Sequence, residues 1–278
     1  MAMLPIKRFR NPPAVVAVIR LSGVIGQKGT LRNGLNLEGV QKSIDRAFAL
    51  YNLKAVALAV NSPGGSPVQS SLIAGRIRDL AEEKDIPVFC FVEDVAASGG
   101  YWLACAGDEI YADENSIVGS IGVVYSGFGF EELLQRIGVE RRLHTAGKSK
   151  AMLDPFSPEK KADVKHLKDV QKEIHDSFAN YVKKRRGDRI SAPEETVLSG
   201  AWWTGVRALE MGLVDGIGNM RAVLLARYGE DVQIVPVETP KPLWRRLTGK
   251  GASNAGVAWV ESLVDVVEEK SMWSRFGL

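Results

Sequence analysis

Histidine and cysteine are scarce in this chain: three and two, respectively, among 278 residues. Cys90 and Cys105 lack CxxC spacing and metal-type partners and sit in apolar contexts, so both read as core side chains, which leaves the redox compartment open. No cluster of His, Cys, Asp and Glu has metal-ligand spacing, and no phosphate-type glycine loop precedes a Lys-Ser/Thr pair. No metal and no nucleotide or other cofactor is therefore expected. Nor does any stretch approach the roughly 18 apolar residues of a membrane span. A net charge of +3 is too small to argue for nucleic acid as a partner. At the N-terminus, Lys7, Arg8 and Arg10 precede Pro12-Pro13 and the short run Ala14 to Ile19, in the outward form of a signal peptide. Arg20 cuts that run short, so it reads as the first core strand instead. The expectation is a soluble chain in a bacterial cytoplasm or at a membrane periphery, with a removed anchor left open.

What is present is ordinary globular material, 45% hydrophobic and 25% charged. Short β-branched runs alternate with helical patterns. "AVVAVIRLSGVI", "KAVALAV", "PVFCFVEDV" and "VERRLHTAG" read as strands. The first helix carries Val40, Ile44, Ala47, Phe48 and Tyr51, and the second carries Leu72, Ile73, Ile77 and Leu80. "FEELLQRIG" is a further helix. This alternation predicts an α/β layered fold with largely parallel strands. Ser157 to Gly187 is one long charged helical stretch with Leu167, Val170, Ile174, Phe178 and Val182 as its apolar stripe. Its "KKRRGDR" end reads as a solvated helix terminus, where cations suit the dipole, rather than as a nucleic-acid patch. "SAPEETVLSG", "WWTGVRALEMGLVDGIG" and "MRAVLLARYG" read as short helices with glycine stops.

The division expected is an N-terminal arm over 1–13, one catalytic domain over 14–240, and a linker with a C-terminal amphipathic helix over 241–278. In that last segment Val260, Leu263, Val264 and Val267 form a stripe opposite Glu261, Asp265, Glu268 and Glu269. The acidic face argues against anionic lipid and for docking on its own chain or on a neighbouring subunit, with a peripheral membrane contact as the alternative.

Two glycine pairs carry the chemistry. Gly64 and Gly65 follow a buried strand in "NSPGGS", and Gly99 and Gly100 follow Ser98 after another. Taken alone, the first is a plain turn and Ser98 an ordinary N-cap. Together they place a bare hydroxyl and approachable backbone N–H groups at strand carboxyl ends, where α/β sheets hold ligands. A serine nucleophile needs a base. His166 and His175 lie on the charged helix, where exposure is the default. His144 is available, as are Lys148 and Lys150; lysine serves only where burial favours the neutral amine, and Ala151, Met152 and Leu153 follow Lys150.

"NSPGGS", "DVAASGGYWLACAGDEIYAD", "SIVGSIGV", "GKSKAMLDPFSP" and "LSGAWWTGVRALEMGLVDGIG" occur in this order. Over about Val15 to Val235 the chain resembles the signal peptide peptidase family of SppA type. The resemblance implies a ClpP/crotonase-like spiral of ββα units and a serine endopeptidase with a Ser–Lys dyad. Ser98 matches the nucleophile, Lys150 the general base and Ser120 the residue that orients that lysine. Gly65 matches the oxyanion-hole position, with Gly64 and Gly99 beside it. It also implies homo-oligomerisation, because the family pairs serine and lysine across copies and some relatives fuse two copies where this chain has one. The expected substrates are membrane-derived or signal-peptide-like peptides; relatives usually carry an N-terminal anchor not seen in this sequence, which puts location and the cleared signal peptide as the natural substrate in doubt. The alternatives are a phage-type capsid-processing protease, a CoA-thioester enzyme of the crotonase superfamily, and a non-catalytic scaffold.

Overall fold

A computed structural model describes residues 12–26, 34–237 and 270–278. Residues 1–11 of the expected N-terminal arm, the linker and the stripe from Val260 to Val267 lie outside the described residues.

Six consecutive residues of strand β2 (Leu53–Ser62), Ala55 to Val60, have no exposed surface. A run of that kind belongs to a parallel strand covered on both faces. β2 pairs in parallel with β1 (Val15–Ser22) and β3 (Val88–Ala97). β3 continues to β4 (Glu109–Ala112) along its first half and to β5 (Ile117–Gly119) along its second. β8 (Gln233–Pro236) extends the sheet beside β1, and β7 (Gly216–Ile217) pairs with β4. The only antiparallel pairing among the described residues is β6 (Trp202–Thr204) against β5. On one face, α1 (Leu37–Ala47), α2 (Pro67–Lys84), α3 (Gly99–Ala104) and α5 (Lys161–Arg186) supply Ile44, Ile77, Leu103 and Phe178 to the main core. On the other, α8 (Met220–Tyr228) packs Leu224 over Val16, Phe89 and Phe91. The α/β reading is borne out.

Local signals explain most boundaries. Asn36 caps α1 by accepting from the Gly39 N–H, and Ser66 followed by Pro67 starts α2. Four expectations fail. Residues 139–144 form no strand; Val139 and Leu143 are exposed, with no neighbouring strand to pair them. Tyr51 lies beyond α1 and is 85% exposed, and Leu72 stands off the buried face of α2. "WWT" is strand β6, not the start of a helix; after the short helices α4 (Glu131–Arg136) and α6 (Glu194–Val197), the next helix, α7 (Gly205–Glu210), begins only at Gly205.

The end of α5 is the fourth. Instead of facing solvent, Arg186 is 2% exposed and its guanidinium bonds both carboxylate oxygens of Asp215, at 2.7 and 3.0 Å, and the Gly212 carbonyl. Arg185 donates to the Cys105 and Gly107 carbonyls just beyond α3. Trp102 of α3 stacks on Phe178 of α5 at 4.8 Å. The arginine pair and this stack fix the short helix that begins directly after Ser98. Burial pushes the Asp215 carboxyl up, but the Arg186 bonds and the Ile110 N–H hold it below the ordinary carboxylate range.

Asp215→Asn should therefore destabilise the protein by about 3–5 kcal/mol, because it leaves the buried guanidinium uncompensated. A depressed folded pKa contributes stability above the unfolded value near 3.9 that is lost as pH falls through the folded value. The gap in urea midpoint between wild type and variant should thus be full at neutral pH and close in acid. A gap that stays constant with pH would contradict this role for Asp215.

Candidate active site

β1, β2, β3 and β5 run in the same direction, so their carboxyl ends meet along one edge of the sheet. At that edge β3 ends at Ala97 and the chain turns at Ser98 into α3. Ser98 has φ 52° and ψ −122°, a conformation that a side-chain-bearing residue adopts only under constraint. Backbone bonds supply the constraint. The Ser98 N–H donates to the Gly119 carbonyl at 2.8 Å, and its carbonyl accepts from the Tyr101 and Trp102 N–H groups. Its hydroxyl makes no helix-capping bond, so the plain N-cap reading fails. The side chain instead faces a cleft of about 750 Å³.

The glycines of "SPGG" close around this serine. A Cβ on Gly64 would lie 2.8 Å from the Ser98 Cβ, and Gly64 has φ +108°. Gly65, at φ +138°, is tighter still: a Cβ there would lie 2.1 Å from the Ile25 carbonyl oxygen. The loop is pinned on both sides of Gly65, by Ile25 N–H to Gly64 carbonyl at 2.8 Å and Ser66 N–H to Ile25 carbonyl at 2.9 Å. The Gly65 N–H itself has no acceptor among the described residues, nor does the Gly99 N–H at the start of α3. The Gly65 nitrogen lies 3.4 Å from where a Gly99 Cβ would stand. Two free donors thus sit close together beside a free hydroxyl.

Ser120 joins them. It too has positive φ, 54°, and its N–H donates to the Ala201 carbonyl at 2.6 Å. Ser98, Ser120 and Gly65 all line the cleft. Lys150 does not. It is exposed, and within one chain the expected desolvation by Ala151, Met152 and Leu153 is absent, although those three are half-buried. Lys148 and His144 are exposed as well.

The sequence reading missed the wall opposite the glycines. Lys168, Gln171, Lys172 and His175 of α5 line the cleft. Their i, i+3, i+4, i+7 spacing puts them on one helix face, a signal available in the sequence but masked by the general charge of the segment. His175 is half-buried rather than solvated, and its Nε2 lies 3.2 Å from the Ile121 carbonyl. A carbonyl can only accept, so this nitrogen carries the proton. His175 thereby steadies the backbone next to Ser120. Met272 and Arg275 reach the cleft from the far end of the chain. Both cysteines are buried and free, as expected, and burial pushes the Cys105 thiol up to about 11.

An unbonded serine hydroxyl and free amide donors at the carboxyl edge of a parallel α/β sheet are the equipment of acyl transfer. Comparison with known proteins agrees. The model of peptidase family S49 matches residues 81–233, a span that holds Ser98, Ser120 and Lys150. The chain is 31% identical over 261 residues to a Synechocystis protease, slr0021, covering 88% of this chain and 89% of that protein. It is 48% identical over 281 residues to a Brucella abortus protein named Na(+)/H(+) antiporter NhaA. That match covers 98% of this chain but spans only 38% of the Brucella protein. No described helix here is long and apolar enough to cross a membrane. Among solved structures, a mutant of the 1510-N membrane-bound stomatin-specific protease bound to a substrate peptide superposes with a TM-score of 0.50 at 15% identity, covering 85% of this chain and 97% of that one. This likeness bears on the fold alone. The chain belongs to peptidase family S49.

Proposed function

We propose that the protein is a serine endopeptidase in which Ser98 is the nucleophile and Lys150, supplied by a neighbouring copy, is the general base. The observation that carries this reading is the strained Ser98, whose backbone is held at three points while its hydroxyl stays free in the cleft. Residues 14–240 would form the peptidase domain. Lys150 takes the Ser98 proton as Oγ attacks the peptide carbonyl. The Gly65 N–H, with that of Gly99, holds the tetrahedral oxyanion; Gly64, expected beside them, takes no part, because its N–H donates to the Ser62 hydroxyl and its carbonyl accepts from the Ile25 N–H. The C–N bond then breaks, and the lysine returns the proton to the departing amine. Water, deprotonated by the same lysine, attacks the acyl-enzyme ester and releases the acid. Ser120 accepts from or donates to the lysine amine and aims it.

The position of Lys150 supports a second copy. It lies on an arm that leaves the body after Gly122 and exposes Val124, Phe128, Leu133, Ile137 and Phe156. Exposed apolar side chains of this kind, with Phe128, Phe130 and Phe156 in ring contact, favour association, and a second copy covering them would bring Lys150 to a partner's serine and desolvate it. Signal-peptide-like or membrane-derived peptides fit as substrates, with membrane contact at the periphery.

Specific activity should therefore fall on dilution, in step with dissociation followed by analytical ultracentrifugation. A monomer that hydrolyses peptides at full rate would overturn the shared-site reading.

A further inference from the structure

The last nine residues end far from the cleft in sequence and beside it in space. Phe276, 8% exposed, and Trp273 pack on Val95, Ala97 and Ile117. The Phe276 ring also meets Trp202 edge-on at 5.9 Å. Ala97 directly precedes Ser98, and Ile117 opens the strand that leads to Ser120. The anchor thus grips the two strands that carry the site. The same turn puts Met272 and Arg275, each one residue before an anchoring aromatic, into the lining of the cleft. The segment borders Ser98 without sealing it, since Ser98 is still half-buried and still lines the open space.

The charge of that lining is one-sided. Lys168, Lys172 and Arg275 contribute to it, and no described lining residue is a carboxylate. Lys172 is paired with Asp176. Arg275 and Lys168 have no ion pair or hydrogen bond among the described residues. A cleft whose described lining holds unpaired cations and no anion is complementary to a ligand that brings the anion.

We infer that residues 270–278 form a fixed wall of the substrate cleft, anchored by Phe276, and that Arg275 together with Lys168 selects peptides bearing a carboxylate. The carboxylate belongs either to an Asp or Glu side chain or to the free C-terminus of a short peptide. This deepens the peptidase reading, and only its kinetic arm rests on that reading.

The test uses matched peptides with Glu or Gln at each position around the cut, each with a free or an amidated C-terminus. Wild type should favour the carboxylate-bearing member, and the preference should shrink with added salt. Which pair shows it identifies the source of the charge. Arg275→Gln should lower that preference about fivefold, the size of a solvent-accessible charge pair, through KM rather than kcat. Arg275→Glu should invert the preference, while Arg275→Lys should keep most of it. Phe276→Ala, which frees the wall but keeps every charge, should lose it as Arg275→Gln does. Unchanged preference in Arg275→Gln, or a general gain in turnover in Phe276→Ala as expected of a plug, would overturn the inference. In parallel, fluorescein-labelled versions of the same peptides are titrated against Ser98→Ala by anisotropy. If no peptide is cut at all, the peptidase reading fails, while anisotropy still reports whether the cleft prefers the carboxylate.

Discussion

Ser98→Ala should lower kcat/KM for peptide hydrolysis by about 10⁶-fold, the scale on which a serine peptidase loses rate with its nucleophile. The fold should hardly notice. The hydroxyl makes no capping bond, and the backbone contacts that fix the turn all come from N–H and carbonyl groups that alanine retains. Stability should stay within about 0.5 kcal/mol of wild type, as for changes that touch no buried partner. The two readouts separate a chemical role from a structural one. A variant that melts early would show that the hydroxyl holds the turn, and a variant that keeps more than a trace of turnover would show that Ser98 is not the nucleophile.

Lys150→Arg should cost at least about 10⁴-fold, the loss seen when a serine peptidase keeps its nucleophile but loses a supporting member of the set. Guanidinium stays protonated under all working conditions and cannot accept the serine proton. Charge and approximate length are conserved, so the substitution isolates proton acceptance from ion pairing and assembly. Lys148→Arg is the internal control. It lies two residues away, is equally exposed in the single chain, and should leave turnover near wild type. Loss in Lys148→Arg or His144→Ala with full activity in Lys150→Arg would reassign the base.

The parts of this molecule legible in its sequence are those whose causes are local. β2 announces itself through an unbroken apolar run, and Ser98 through the glycines that must flank it, since a Cβ at Gly64 or Gly65 would strike Ser98 or Ile25. What stayed hidden depends on partners far along the chain. Arg186 looked like one more cation at a helix end, yet it is buried because Asp215 and the Gly212 carbonyl lie waiting after another turn of the fold. Residues 139–144 carry the apolar Val139 and Leu143, but no described strand lies beside them to pair with. One wall of the cleft comes from Met272 and Arg275, more than 170 residues from Ser98, and no motif ties the two together. Lys150 is the extreme case. Its sequence neighbours suggest burial, the single chain leaves it in solvent, and the burial would come from another copy.

That last point is the centre of the account, and mixing two inactive variants tests it most directly. Ser98→Ala and Lys150→Arg are each purified, partly dissociated, combined and allowed to reassemble. If serine and lysine come from different copies, some sites in the mixture pair an intact Ser98 with an intact Lys150, and peptide hydrolysis should reappear although neither variant has any alone. If the mixture stays as inactive as its components while ultracentrifugation shows mixed assemblies, the dyad does not form between copies and the proposed site is wrong.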